Sequence, residues 1–350
     1  MQLPVKETMV SHSFPRLEPG RIPRRSALLA AAALALVPAL AACGSGGAGG
    51  VAAGSNRITV LRSSGAVFEP LYIAEQQGYF KDAGLDVTIK EGAADTAQNA
   101  PSVLNGEAQF AMTDGQGFLK AAVQGLPVRA TTSLQSSNSK TKATDGLLVK
   151  PDSPIKSFKD LEGKTVGMPS LTGSVQFICE YLVKQAGGDP SKVNYVALPT
   201  ASLNDSVQSG KIDAAYTFAS FFDAGKQAGL RAMGNGMNEL LGYNQGLLFA
   251  SQSYLQANGD TAKKFIDAVA KGIDYANSHP DAVRAVDKQY TKLSADYIDK
   301  APVNYYDKTI YTGVMTTTIQ MSVQFGLLSK APDEKNLYWD KAPTAASAGN

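Results

Sequence analysis

Two cysteines and two histidines are the whole thiol and imidazole content of this 350-residue chain, and their positions decide what chemistry it can carry. Cys43 closes a short apolar run. Arg24 and Arg25 precede that run, Ala27 to Val37 forms it, and Leu40-Ala41-Ala42 leads into the cysteine. A basic start, a short apolar centre and small residues before the cut make an export signal, removed from the mature protein. The run falls short of the roughly 20 residues needed to cross hydrocarbon, and Pro38 interrupts it, so a membrane-spanning anchor is the weaker reading. His12 leaves with the leader. What remains is Cys179, inside the apolar helical pattern of Val175 to Val183, and His279, in a polar Asn-Ser-His-Pro segment. A lone thiol in an apolar pattern reads as a buried structural residue. One histidine and one free cysteine give no disulfide framework and no basis for a transition-metal site or Ser-His-Asp chemistry.

The Cys43 segment resembles the lipobox of bacterial lipoproteins. That resemblance implies diacylation of the Cys43 thiol, cleavage before it, and a mature chain tethered to the outer face of the cell membrane, at the cell surface or in a periplasm. The Pro23-to-Leu28 stretch is also similar to a twin-arginine signal but lacks the usual phenylalanine after the arginine pair, so the Sec and twin-arginine routes both stay open. Cleavage leaves 308 residues, enough for two lobes with separate cores. The full-chain charge of +2 misleads, because the leader carries five basic and two acidic residues; the mature chain holds 28 basic and 29 acidic side chains. Neither that balance nor any basic stripe suits a nucleic-acid partner.

The remaining candidate chemistry sits in polar loops, and these need elements to position them. Residues 44–56 are Gly/Ala/Ser and read as a flexible tether. Ile58–Leu61 is a strand, followed by the loop of Arg62 to Val67 and a helix from about Glu69 to Gly78. Strands at 84–89, 108–112 and 128–133 alternate with helices at 97–104 and 118–124. A second series repeats this grammar, with strands ending at Met168, Leu198 and Tyr216. Such alternation means βαβ units and largely parallel sheets, with the loops after the strand carboxyl ends sharing one edge. Asp145–Val149 and Gln245–Ala250, short apolar runs carrying glycine, are expected to be the hinge crossings. Phe265, Val269, Ile273 and Tyr275-Ala276 form an apolar stripe at helical spacing, expected to add a helical layer to the first lobe.

Several segments then resemble one family. Pro70-Leu-Tyr-Ile-Ala through Gly84-Leu-Asp-Val87 is similar to the opening of solute-binding proteins of the nitrate, sulfonate, taurine and thiamine-pyrimidine group, which serve ATP-driven importers. Gly106–Met112, Ser153–Gly167 and Ser209–Ala215 resemble further segments of the same group, so the likeness spans about residues 57 to 290. It implies an α/β, two-lobed type II periplasmic-binding-protein fold, each lobe a mainly parallel sheet flanked by helices, with two hinge crossings. The expected organisation is a cleaved signal peptide (1–42), a tether (43–56), lobe I (57–148), lobe II (149–245), a return to lobe I (246–340) and a disordered tail (341–350). The partners implied are a small-molecule solute, ABC permease subunits and the membrane through the lipid anchor alone. A monomer with no cofactor and no metal is expected.

Helix N-termini can supply placed donors to a captured solute. Ser63, Ser64 and Gly65 follow the first strand and allow close backbone approach. Phe68 either stacks on a ligand or packs in the core. Glu69 either meets a cationic or hydrogen-bonding ligand or simply favours the first helical turn. Asp95 and Thr96 precede the second helix, and capping is the plainer role for Asp95. Thr113, Asp114 and Gly115 follow the third strand, where Asp114 caps or meets solute. Ser170, Thr172, Gly173 and Ser174 form a hydroxyl-rich loop opening a helix, suited to an oxyanion. Tyr216 and Phe218 flank a strand end, with Phe221 and Phe222 after them, and one of these aromatics is expected to line the cleft. Arg62 is the only arginine near a cleft loop, while Glu69, Glu91, Asp95 and Asp114 gather there. That tilts the solute toward a zwitterion, an amine or a neutral heterocycle and away from nitrate. The expected function is capture of a small sulfonate/nitrate/taurine-like or pyrimidine-like solute by closure of two lobes and its delivery to a permease, not catalysis. An exported enzyme, or a sensor module without transport, on the same fold is the alternative.

Overall fold

A computed structural model of the chain describes residues 55–63, 67–93, 96–140, 142–171 and 173–348. Cys43, Ser64, Gly65, Ala94, Asp95 and Thr172 lie outside the described residues, as does the side chain of Thr96. In chain order the first series is β1 (Arg57–Arg62), α1 (Glu69–Gln76), α2 (Tyr79–Asp82), β2 (Asp86–Glu91), α3 (Ala100–Leu104), β3 (Phe110–Thr113), α4 (Gly115–Val123) and β4 (Val128–Ser136). The second is β5 (Asp145–Val149), β6 (Thr165–Met168), α5 (Ser174–Gln185), β7 (Asn194–Ala197), α6 (Thr200–Ser209), β8 (Ala214–Phe218), α7 (Ala219–Gln227) and β9 (Arg231–Met233). The chain finishes through β10 (Asn244–Ser251), α8 (Gln252–Ala257), α9 (Gly259–Ser278), α10 (Pro280–Tyr290), α11 (Ala295–Lys300), β11 (Ile310–Tyr311), α12 (Thr312–Gln324) and β12 (Thr344–Ala345).

Two five-stranded sheets result, ordered β2-β1-β3-β10-β4 and β7-β6-β8-β5-β9. They share one design. In each, four strands run in one direction and one runs against them: β10 against β3 and β4, and β5 against β8 and β9. The antiparallel strand is the one delivered by the chain on arrival from the other half. Neither is a hinge, contrary to expectation. β5 pairs only within the second sheet and β10 only within the first, and both are buried along nearly their whole length. A short apolar run with glycine reads the same for a central strand as for a hinge, and the paired backbone decides between them. The chain instead crosses between the sheets at 137–144 and 234–243, so the second half begins before Asp145. The crossings are bonded to each other: Ser137 N donates to Tyr243 O at 2.8 Å, and Gly242 N donates to Ser137 O at 2.7 Å.

The local reasons for these elements are ordinary. Ile58 and Val60 alternate inward on β1, and all four residues of β3 are buried, as suits a central strand. α1 starts at Glu69-Pro70 and stops at Gly78, which takes the left-handed conformation (φ 77°). α9 buries Ala262, Phe265, Ile266, Val269, Gly272, Ile273 and Ala276 at three- and four-residue spacing, and packs against α1. Gly272 is needed there, because a Cβ would collide with the Pro70 carbonyl. The expected helical layer on the first lobe is therefore this contact. α12 lies across both halves. Its Met315 and Ile319 join the core around Phe118, Leu247 and Phe249, while Val314 and Met321 pack on the core of Leu147, Val166 and Phe177. The last residues are not a loose tail as far as Ala348: Thr344 and Ala345 pair with Ile310 and Tyr311, and Gly313 N donates to Ala346 O at 2.9 Å. Backbone pairing holds a segment whose side chains gave no sign of it. Among the described residues no helix is long and apolar enough to cross a membrane.

Candidate functional site

The first-lobe edge is already occupied by its own side chains. β1 delivers Arg62, whose guanidinium donates to the Tyr72 hydroxyl (3.2 Å), the Ser63 carbonyl (2.7 Å), Glu91 Oε2 (2.9 Å) and the Tyr290 carbonyl (3.4 Å). It also lies 4.3 Å above the Phe68 ring. An arginine so engaged has little left for an anionic solute. Phe68 is core and not an open stacking face. Val67 before it takes φ 80°, and among the described residues only Ala219 shares left-handed backbone without being glycine. Both sit on strand-end loops, one in each lobe, where strained backbone commonly marks ligand sites.

The two lobes meet at the N-termini of α4 and α5. Asp114 caps α4, its Oδ1 accepting from Gly117 N at 2.7 Å. It also takes a hydrogen bond from Ser174, the first residue of α5. Ser174 Oγ in turn lies 2.6 Å from the hydroxyl of Tyr243, a residue of the return crossing. Gly115 sits against the Tyr243 ring. Burial pushes the Asp114 carboxyl above its ordinary range, although the Gly117 N–H and the Ser174 hydroxyl oppose this. Sequence reasoning placed Asp114 and Ser174 in one site, and the structure brings them together. It missed Tyr243, which carries no motif and becomes relevant only through contacts about 70 and 130 residues away in sequence.

The second-lobe edge is different in kind. Leu171, after β6, is 37% exposed, Phe218 at the end of β8 is 39% exposed and Phe221 is 36% exposed. β6 and β8 are adjacent parallel strands, so these apolar groups share one sheet edge. Tyr216 does not belong with them. It is fully buried and its hydroxyl bonds Asp145, which also accepts from Met237 N at 2.9 Å; the phenol is a core strut with its polar end satisfied. Thr113 is buried at the end of β3, and Gly173 caps α5 through extended backbone. Ser63 and Ser170 stand on their expected strand-end loops.

Between the lobes lies an acidic pocket. Glu69 is 0% exposed, and its carboxyl shares hydrogen bonds with a second acid and with the backbone of Val67. It faces Asp287 of α10. Burial first, then the Asp287 charge, pushes Glu69 well above the usual carboxylate range, and burial raises Asp287 too. The buried Tyr306 hydroxyl hydrogen-bonds to Glu69, while its backbone is clamped by Asn277, with N–H···Oδ1 2.8 Å and Nδ2–H···O 2.9 Å. A cavity of about 80 Å³ is lined by Asp287 and Arg284 of α10, by Thr144 of the first crossing and by Ala219 of α7. Asp287 and Tyr306 were not foreseen, since nothing local distinguishes them from a surface helix and a loop. The residues of possible covalent chemistry stand apart. Cys179 is buried with its thiol pushed up to about 12 by burial, and His279 stacks on Tyr275 at 3.8 Å on an exposed helix junction. No group of three or more metal-ligating side chains occurs among the described residues.

This arrangement of strand-end loops has counterparts. The NMT1/THI5-like family model matches residues 66–283. The chain belongs to the NMT1/THI5-like family. The riboflavin-binding protein RibY of Chloroflexus aurantiacus is 26% identical over 74% of this chain and 72% of its own. A 4-amino-5-hydroxymethyl-2-methylpyrimidine phosphate synthase of Candida albicans is also 26% identical, over 65% of this chain and 69% of its own. Among solved structures, the periplasmic aliphatic sulphonate binding protein SsuA from Escherichia coli superposes with a TM-score of 0.69 at 17% identity, covering 85% of this chain and 96% of that one. The family member described here therefore has the periplasmic-binding-protein fold.

Proposed function

We propose that the mature chain is the extracytoplasmic solute-binding component of an ABC importer, held to the outer face of the membrane by lipid on Cys43. It captures a small organic solute between strand-end loops and hands it to the permease. The observation that carries this reading is the meeting of α4 and α5 N-termini from opposite lobes over Asp114, Ser174 and the hinge residue Tyr243. A solute touching both lobes stabilises the closed form, and the paired crossings at 137–144 and 234–243 absorb the motion.

The solute favoured is one with a flat or apolar part, neutral or cationic, in preference to nitrate or a simple sulfonate. Two features support that choice. Arg62 is spent on its own lobe, and Phe218 with Phe221 offers aromatic surface. RibY by its name binds riboflavin and the Candida relative makes a pyrimidine phosphate, both flat nitrogen heterocycles. Binding is preferred to catalysis because neither the exposed His279 nor the buried Cys179 thiol stands at the cleft loops. The test is calorimetry with small-angle scattering on the mature chain, using aminopyrimidines, riboflavin, taurine, alkanesulfonates and nitrate. Tight binding with compaction is expected for a heterocycle. Turnover of any panel member, or tight binding without compaction, would sink the capture reading.

A further inference from the structure

We propose that the C-terminal residues 343–348 are a strap on the hinge: they tie the return crossing to the first lobe and to α12, and so limit how far the lobes part. The proposal rests on the capture-by-closure reading and adds what resists the motion. The strap has a fixed base. Trp339 is buried in the first-lobe core, and its N–H donates to the Ala130 carbonyl of β4 at 2.9 Å. From there the chain runs beside β11, Thr344 paired with Ile310 and Ala345 with Tyr311. Ile310 N also donates to the Pro343 carbonyl at 2.9 Å.

Next the strap reaches α12. The first N–H groups of a helix have no partner within it, and Tyr311 at the α12 N-cap makes no side-chain bond to them. The strap supplies an acceptor: Gly313 N donates to the Ala346 carbonyl at 2.9 Å, and the Thr312 hydroxyl donates to the Ala345 carbonyl at 3.2 Å. The approach is so close that a Cβ on Gly313 would stand 2.5 Å from the Ala346 oxygen. The far end of the strap meets the hinge. Gly242, in the return crossing, takes φ 83° and donates its N–H to Ser137 O of the first crossing. A Cβ on Gly242 would lie 3.0 Å from Tyr311, 3.0 Å from Val314 and 3.2 Å from the Ala348 methyl. β11, the first turn of α12 and the end of the strap therefore enclose the point where the two crossings bond each other. A crossing enclosed in this way cannot turn its backbone without shifting the strap, because packed contacts give way in steps and do not deform continuously.

Amide hydrogen exchange tests this on the mature chain, on the same chain ending at Ser347, and on Gly313→Ala. Ending at Ser347 leaves the β11 pairing and the α12 bonds in place and removes the contact with Gly242. The Gly242 and Ser137 amides, which join the crossings, are expected to exchange about tenfold faster in that chain, with β11 and α12 unchanged. Gly313→Ala, whose Cβ drives the strap away, is expected to loosen the same two amides, although alanine otherwise favours a helix. Small-angle scattering of both unliganded variants is expected to give a larger radius of gyration than the parent's. Crossing amides that exchange as in the parent overturn the strap. So does faster exchange confined to β11 and α12, which is what the loss of a purely local contact would give. Neither readout needs a solute. Loosened crossings in a chain that no solute compacts would keep the strap and remove capture, and unmoved crossings in a chain that a solute does compact would do the reverse.

Discussion

The two facing edges of the cleft are built oppositely. On the first lobe, Arg62, Phe68 and Glu69 are buried and Asp114 is half-buried, with Arg62 held by Tyr72, Tyr290 and Phe68, Glu69 by Asp287, and Asp114 by Gly117. On the second, Leu171, Phe218 and Phe221 each leave more than a third of their surface open to water. A socket whose groups are locked in advance loses little entropy on binding, while an uncovered apolar surface gains most when something flat lies against it. The first lobe thus supplies polar recognition, and the second supplies a cover whose burial favours closure.

Substitutions can break or sharpen this contrast. The largest effect is expected at Phe68→Ala, which opens a cavity under Arg62; a loss of about 3–5 kcal/mol in urea unfolding is expected. A loss below about 1 kcal/mol would mean the first-lobe edge is not a rigid socket. Next is the pH response of the second lobe's interior. Glu180 is raised by burial to about 7, and its Oε2 has no partner among the described residues. Its folded value lies above its ordinary one, so the native state binds the proton more tightly. Its contribution is present at low pH and is lost as pH climbs from about 4.5 to about 7, costing on the order of 2 kcal/mol. Glu180→Gln should flatten that slope in melts across the window, and an unchanged slope would refute the assignment. Tyr243→Phe is expected to cost about 1 kcal/mol, by removing the hydroxyl that Ser174 shares across the joint. Scattering of the unliganded variant should show a more open molecule; identical profiles would deny the joint any part in closure. The smallest stability change, within about 0.5 kcal/mol, is expected at Phe218→Ala. Solute affinity should nevertheless fall about tenfold in calorimetry, and an unaltered affinity would remove the cover from the account.

Much of the fold was legible because it rests on local grammar. The βα alternation, the stripe from Phe265 to Ala276 and the capping role of Asp114 each depend on residues a few positions apart. The site was half legible for the complementary reason. Strand-end loops announce themselves by position, so Asp114, Ser174 and Phe218 could be named. Where a side chain's partner lies far along the chain, sequence is mute. Arg62 could be placed near a cleft loop, but not the Glu91 carboxylate and Tyr290 carbonyl that hold it. Tyr216 looked available until Asp145 was seen across the strand pair. Glu69 offered two readings, and neither foresaw a second acid arriving from α10. The expected hinges failed on degeneracy, since Leu147 and Leu248 are as apolar in a sheet centre as in a connector.

One consequence follows from α12. Because this helix is wedged into the interiors of both halves, and Gln116 of α4 bonds its Ser322, the halves have a third attachment beside the two connecting strands. Jaws fastened along one flank cannot simply gape. The movement that sacrifices fewest contacts is a torsion with α12 as the axle, which would bare the flank away from it while the near flank stays shut, and so would fix the direction from which a solute enters.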